Sequence, residues 1–191
     1  MITSMCNSYE HTIVITNRHL VQGDFLKQLE KVTKLHPHAL ILREKDLTDD
    51  AYESLAKKVF DLCKREDITF FLHTKIEIAR KIGCQNIHLS IPVLKGLSET
   101  EKKALTEDFC EISISCHSME DVEIAMAGGA TQIILGTIFE TECKKSVLGK
   151  GVEFVREICQ KCPLPVYAIG GMNLQRLPLD IDAGAAGCCM M

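Results

Sequence analysis

The sequence lacks any apolar run approaching the ~18–20 consecutive residues that a membrane-spanning helix needs. It also lacks a basic excess. Lys and Arg total 22 against 26 Asp and Glu, a formal net charge of −4, which argues against a broad nucleic-acid-binding face. The opening "MITSMCNSYEHTIVIT" has neither the basic n-region nor the long apolar core of a signal peptide. A cytoplasmic protein with no membrane or nucleic-acid partner is therefore expected. No low-complexity segment or linker interrupts the chain, so residues 1–191 are expected to form one domain.

Cysteine, by contrast, is plentiful, with ten residues. Without a signal peptide these read as reduced thiols. Several, including Cys110, Cys188 and Cys189, fall where buried strands are expected, and free Cys packs as a small hydrophobe. The one CxxC, "CQKC" (Cys159–Cys162), ends the helical pattern "GVEFVREICQKC". A helix C-terminus disfavours a thiolate, and with no second CxxC a zinc site lacks ligands.

Short apolar runs alternate with amphipathic stretches. Strands are expected at "TIVIT" (12–16), "ALILR" (39–43), "ITFFL" (68–72), "NIHLS" (86–90), "EISIS" (111–115), "QIILG" (132–136), "PVYAI" (165–169) and "GCCMM" (187–191). Helices are expected over 24–35, 48–64, 75–82, 98–107, 118–127 and 151–161, with Ser118 and Asp121 forming an N-cap. Tyr52, Leu55, Ala56, Val59 and Phe60 recur at helical spacing. "AGGATQIIL" (127–135) and "AGAAGCCMM" (183–191) echo one another as a helix-capping glycine followed by a buried strand. Eight apolar strands joined by crossovers imply an α/β fold, a closed (β/α)8 TIM barrel. At 191 residues it is short for that fold, typically ~250 residues, and the pattern lacks the last helix. An apolar flank left open in that way points to a homodimer.

In such barrels the site lies at the C-terminal ends of the strands. Residues expected there include Arg43, Glu44 and Lys45 after strand 2, and His73, Thr74 and Lys75 after strand 3. Strand 4 offers His88 and Ser90, and strand 5 offers Ser115 and His117. After strand 6 come Thr137 and a loop carrying Thr141, Cys143, Lys144 and Lys145, and after strand 7 come Gly170 and Gly171. Arg43, Lys45, Lys144 and the amides of Gly170 and Gly171 are candidates to converge on one anion, which suggests a small phosphorylated ligand. The alternative for "REK" is a solvated charge run. His88, inside a strand, reads as structural. His73 and His117 are acid–base candidates, with the alternative that His117 only starts a helix.

"LREK" (42–45), "IHLS" (87–90), "GTIFETECKK" (136–145), "GKGVEFV" (149–155) and "YAIGGMN" (167–173) resemble the thiamine phosphate synthase and TenI family over nearly the whole chain, with the 139–151 segment closest to the TenI branch. The resemblance implies a (β/α)8 barrel that acts on a phosphorylated thiazole in thiamine biosynthesis. The synthase joins a pyrimidine diphosphate to a thiazole phosphate with Mg²⁺, whereas TenI-like enzymes aromatise a thiazole carboxylate phosphate by moving a proton. Against the synthase pattern, His73 and Thr74 stand in place of an Asn-Asp pair whose Asp ligates Mg²⁺. Val93 stands in place of a second Mg²⁺-binding Asp, Ile41 in place of a pyrimidine-contacting Gln, and Cys143 in place of a Thr. Against the TenI pattern, Thr137 stands in place of the proton-shuttling His, which leaves His73, His117 or Cys143 as substitutes. The family's phosphate-binding Ser-Gly turn after strand 8 has no counterpart before Met191, which implies a weaker phosphate cradle.

The expected function is accordingly a thiazole tautomerase-type proton transfer, with no cofactor. A Mg²⁺-dependent thiamine phosphate synthase is the alternative, and a catalytically degenerate, phosphate-binding barrel is a third. The expected catalytic residues are His73, His117 and Cys143. The expected ligand-binding residues are Arg43, Lys45, Thr137, Thr141, Lys144, Gly170 and Gly171.

Overall fold

The computed structural model of the chain describes residues 8–140 and 148–191. Eight parallel strands close into a barrel in sequence order: β1 (Thr12–Ile15), β2 (Ala39–Leu42), β3 (Thr69–His73), β4 (Asn86–Ser90), β5 (Glu111–Cys116), β6 (Gln132–Gly136), β7 (Val166–Ile169) and β8 (Gly187–Met190). β8 closes on β1 by pairing Cys188 with Thr12 and Cys189 with Ile13.

The helices are α1 (Phe25–Thr33), α2 (Asp49–Arg65), α3 (Ile76–Ile82), α4 (Ile91–Gly96), α5 (Glu99–Asp108), α6 (Met119–Ala127), α7 (Gly151–Lys161) and α8 (Leu177–Asp182). Four of their starts, those of α1, α2, α5 and α6, carry the local signals that satisfy orphan N–H groups. Asp24, Thr48 and Ser118 each accept from a backbone N–H of the first turn, and Ser98 with Glu101 forms a capping box. Of the echoed glycines, Gly184 adopts a positive φ of 102° before β8, whereas Gly128 caps α6 at φ −86° and it is the next residue, Gly129, that takes a positive φ of 84°. α4 is an addition to the sequence-based expectation. It begins directly at the end of β4, with Pro92 in its first turn, and buries only Ile91 and Leu94.

Side chains alternate between two apolar layers, as strand geometry requires. Leu40, Leu42, Phe70, Leu72, Ile87, Leu89, Ile112, Ile114, Ile133 and Leu135 face the helices and pack with Ala56, Val59, Leu105, Val122 and Ile158. Ile13, Ile15, Ala39, Ile41, Phe71, Ile134, Tyr167 and Cys189 fill the barrel interior. Cys188 and Cys189 are buried as expected, but Cys110 is exposed. It lies one residue before β5, so it escapes the strand's burial pattern. Cys159 is half-buried and Cys162 buried at the end of α7, and burial pushes the Cys159 thiol up to about 11. All eight cysteines among the described residues are free thiols.

Candidate functional site

The same alternation that fills the interior with Ile, Phe and Tyr carries polar side chains upward along β3, β4 and β5. Phe71 points inward, so His73 does too. On β4 the inward set is Asn86, His88 and Ser90, and on β5 it is Glu111, Ser113 and Ser115. Register then brings the histidines together, because His73 pairs with His88 across β3 and β4. Their rings lie 5.6 Å apart. His88 is buried and wholly satisfied: its Nδ1 is 2.9 Å from Ser113 Oγ and its Nε2 2.8 Å from Ser115 Oγ.

Both histidines are neutral near pH 7. Burial, and then the positive charges of Lys45 and Arg43, lower His73 to about 4. Burial, followed by His73 and Arg43, lowers His88 to about 3. The positive charge of Arg43 thus acts on both rings. Arg43 forms no ion pair among the described residues, and its backbone N–H donates to Thr16 Oγ1 at 3.0 Å.

A cleft of about 350 Å³ opens above this pair, lined by Glu44, Lys45, Tyr52, His73, Thr74, Lys75, Ser90 and Val93. Its single carboxylate is already engaged. Glu44 is buried, accepts from Thr16 Oγ1 at 2.7 Å and from the Arg18 backbone N–H at 3.1 Å, and meets Arg18 Nη1 at 3.3 Å. Tyr52 ties the cleft's floor together. Its hydroxyl donates to Leu42 O at 2.6 Å and accepts from the His73 N–H at 3.2 Å. Thr74 adopts φ 62°, a left-handed conformation that costs a β-branched residue about 1–3 kcal/mol. It is held there by its N–H donating to His88 O at 2.9 Å and its hydroxyl donating to His73 O at 2.7 Å.

A second cleft, of about 240 Å³, lies at the ends of β6, β7 and β8. It is lined by His117, Gly136, Thr137, Ile169, Gly170, Gly171, Met172, Cys189, Met190 and Met191. Gly170 and Gly171 are required by close approach. A Cβ on Gly170 would lie 2.5 Å from Thr137 Cγ2, and one on Gly171 would lie 2.7 Å from Glu140 O. His117 is exposed at this rim, and its carbonyl accepts from Lys150 Nζ. The Lys150 ammonium also lies 4.5 Å from the centre of the Phe154 ring.

The candidate residues thus separate into two groups. His73, Arg43 and Lys45 belong to the β2–β4 side, and His117, Thr137, Gly170 and Gly171 to the β5–β8 side. The two linings share no residue, and the convergence expected of Arg43, Lys45, Lys144 and the paired glycines on one anion involves a residue outside those the structure describes. Thr141, Cys143 and Lys144 lie outside the described residues. Sequence reasoning missed the Tyr52 hydroxyl and the Ser113–His88–Ser115 chain. The serines had a readable signal, since "EISIS" alternates Ser and Ile and so puts both hydroxyls on one face.

A magnesium ion at the first cleft fits poorly. A hard cation takes carboxylate and other oxygen ligands. Here the cleft offers one carboxylate, engaged by Arg18, and is bordered by Lys45 and Lys75. No group of three or more His, Cys, Asp and Glu side chains able to hold a metal occurs among the described residues.

A closed parallel barrel with cations, hydroxyls and neutral imidazoles at its C-terminal mouth defines an α/β-barrel protein suited to small anionic ligands. The family model described as thiamine monophosphate synthase matches residues 12–191, and the chain belongs to that thiamine monophosphate synthase/TenI family. The chain is similar to the thiamine-phosphate synthase of Coprothermobacter proteolyticus, 30% identical over 93% of this chain and 83% of that one. It is similar also to the thiamine-phosphate synthase of Fusobacterium nucleatum, 27% identical over 92% of this chain and 84% of that one. Among solved structures it shares its fold with thiamine phosphate pyrophosphorylase from Pyrococcus furiosus. The TM-score is 0.81 at 22% identity, over 96% of this chain and 86% of that one. Among the described residues no helix is long and apolar enough to cross a membrane.

Proposed function

We propose that this chain joins two phosphorylated heterocycles, a pyrimidine diphosphate and a thiazole phosphate, in a thiamine phosphate synthase-type reaction. The carrying observation is the pair of unlike clefts at one barrel mouth, one cationic and one apolar. The names of the relatives support this reading over the tautomerase that the 139–151 segment suggested. In the reaction the carbon–oxygen bond to diphosphate breaks and a carbon–nitrogen bond to the thiazole forms. The leaving diphosphate takes the bonding electron pair. Arg43, Lys45 and Lys75 supply positive charge where that anion gathers, and such preorganised charge lowers the barrier. The apolar cleft holds the thiazole ring against Ile169 and Met172. The oxygen donors at the cationic cleft do not suit a metal ion.

Proton transfer on a thiazole carboxylate phosphate is the second reading. It is favoured by His73, which is neutral near pH 7 and lines the first cleft. Incubation with both coupling substrates, with thiamine phosphate quantified by chromatography, tests the first reading. A proton NMR time course with the carboxylate in D2O tests the second. Product in the first assay supports coupling. Deuterium incorporation in the second, without product in the first, replaces coupling by proton transfer.

A further inference from the structure

The cationic cleft departs from the family's metal-dependent pattern in a consistent direction. Where the resemblance calls for Mg²⁺-binding carboxylates, the chain has Thr74 and Val93, and both line the cleft. Lys45 and Lys75 line it as well, and the charge of Arg43 acts on His73 in its wall. Lys75 pairs with Asp49, which is 75% exposed, so water screens that pair and the lysine's charge stays available to a ligand. Ser90 adds a hydroxyl on the same wall, and the Thr74 backbone is held in a left-handed conformation. An ammonium group is a point charge with three donors, well suited to phosphate oxygens.

We propose that the β2–β4 cleft is a metal-independent site for a diphosphate group, held by Arg43, Lys45 and Lys75 in the place where the family's synthase binds Mg²⁺. The coupling reading supplies only the identity of the anion as a diphosphate. The cleft's charge and donors stand without it. A ligand bound here also screens Arg43 and Lys45 from His73, so anion binding and the protonation of His73 are coupled.

The test is calorimetric titration with inorganic pyrophosphate, in EDTA and in excess Mg²⁺. Binding in EDTA at least as tight as in Mg²⁺ is expected, because Mg²⁺ competes for the same oxygens. Lys45→Met and Lys75→Met each weaken binding at least tenfold, whereas Lys75→Arg stays within about threefold. Unchanged melting temperatures of the unliganded variants show that folding is intact. Binding that requires Mg²⁺, no binding at all, or lysine variants that bind like the wild type would each overturn the site. Pyrophosphate bound in EDTA by a protein that forms no thiamine phosphate leaves this site standing and removes the coupling reading. Mg²⁺-dependent binding with product formed does the reverse.

Discussion

Between β2 and β5 the inward positions nearest the mouth carry Arg43, His73, His88, Ser90 and Ser115, whereas between β6 and β8 they carry Gly136, Ile169 and Cys189. One backbone rule, the two-residue alternation of a strand, aims all of them. The difference is therefore written in side chains alone. One half of the mouth is equipped to meet charge, and the other to pack an apolar ring. The halves also treat their buried titratable groups differently. On the polar side His88 has a partner at each ring nitrogen. Behind β8, in the helix layer, Asp180 is fully buried, and neither carboxylate oxygen has a hydrogen-bond partner among the described residues. It lies beside Cys159 and Cys188, whose thiols its charge helps to raise.

These two arrangements respond to acid in opposite directions. A histidine whose folded pKa lies below the unfolded value near 6.5 contributes stability that is complete above pH 6.5 and lost as pH falls. For His88, at about 3, that amounts to about 3–4 kcal/mol between pH 7 and pH 4. His88→Gln is expected to flatten this acid limb when unfolding free energies from urea melts are plotted against pH. A variant whose slope over that window matches the wild type would show that His88 is not held neutral. Asp180 has the reverse sign. Burial raises it to about 6 from 3.8, so the folded protein holds this proton longer than the unfolded chain does. Stability therefore falls as pH rises from about 4 to about 6, by ~3 kcal/mol in all. Asp180→Asn mimics the protonated acid. It should leave stability unchanged at pH 4 and raise it by up to ~3 kcal/mol at pH 8. Equal effects at both pH values would mean that a partner satisfies this carboxylate.

The fold was largely legible because burial writes itself into spacing. The expected limits of β4, β6 and α7 agree with the structure to the residue. α4 was not legible, since a six-residue helix abutting a strand has too few turns to show a period. At the site, the types of residue were legible and their partners were not. "LREK" showed its charges, but nothing local ties Glu44 to Arg18, 26 residues earlier, so a committed carboxylate read the same as an open one. Likewise, nothing local tells which sector of a closed barrel Lys45 and Gly170 each occupy, since β2 and β7 are separated by β8 and β1 around the barrel. His88 read as structural, and its full burial agrees, but its two serine partners required the register of β4 on β5.

A smaller effect probes that hydrogen-bonded pair. His88→Leu should strand the buried Ser113 hydroxyl and cost ~1–3 kcal/mol beyond the change in packing. Adding Ser113→Ala should recover much of that loss, since removing both partners spares the desolvation penalty of one left alone. Strict additivity of the two single changes, measured at pH 7.5, would break the claim that the polar half is stabilised as a connected unit.

The smallest effect on stability sharpens the contrast most. Lys75 is held by an ion pair with an exposed aspartate, an arrangement worth ~0–1 kcal/mol. Lys75→Met should therefore change the unfolding free energy by less than ~0.5 kcal/mol, typical of a surface substitution. In the same protein pyrophosphate affinity should fall at least tenfold. Destabilisation well above that figure would make Lys75 a structural member of the β2–β4 half. Negligible destabilisation together with the lost affinity would instead assign its charge to a ligand, because then the folded chain alone gives no reason for a lysine beside Thr74.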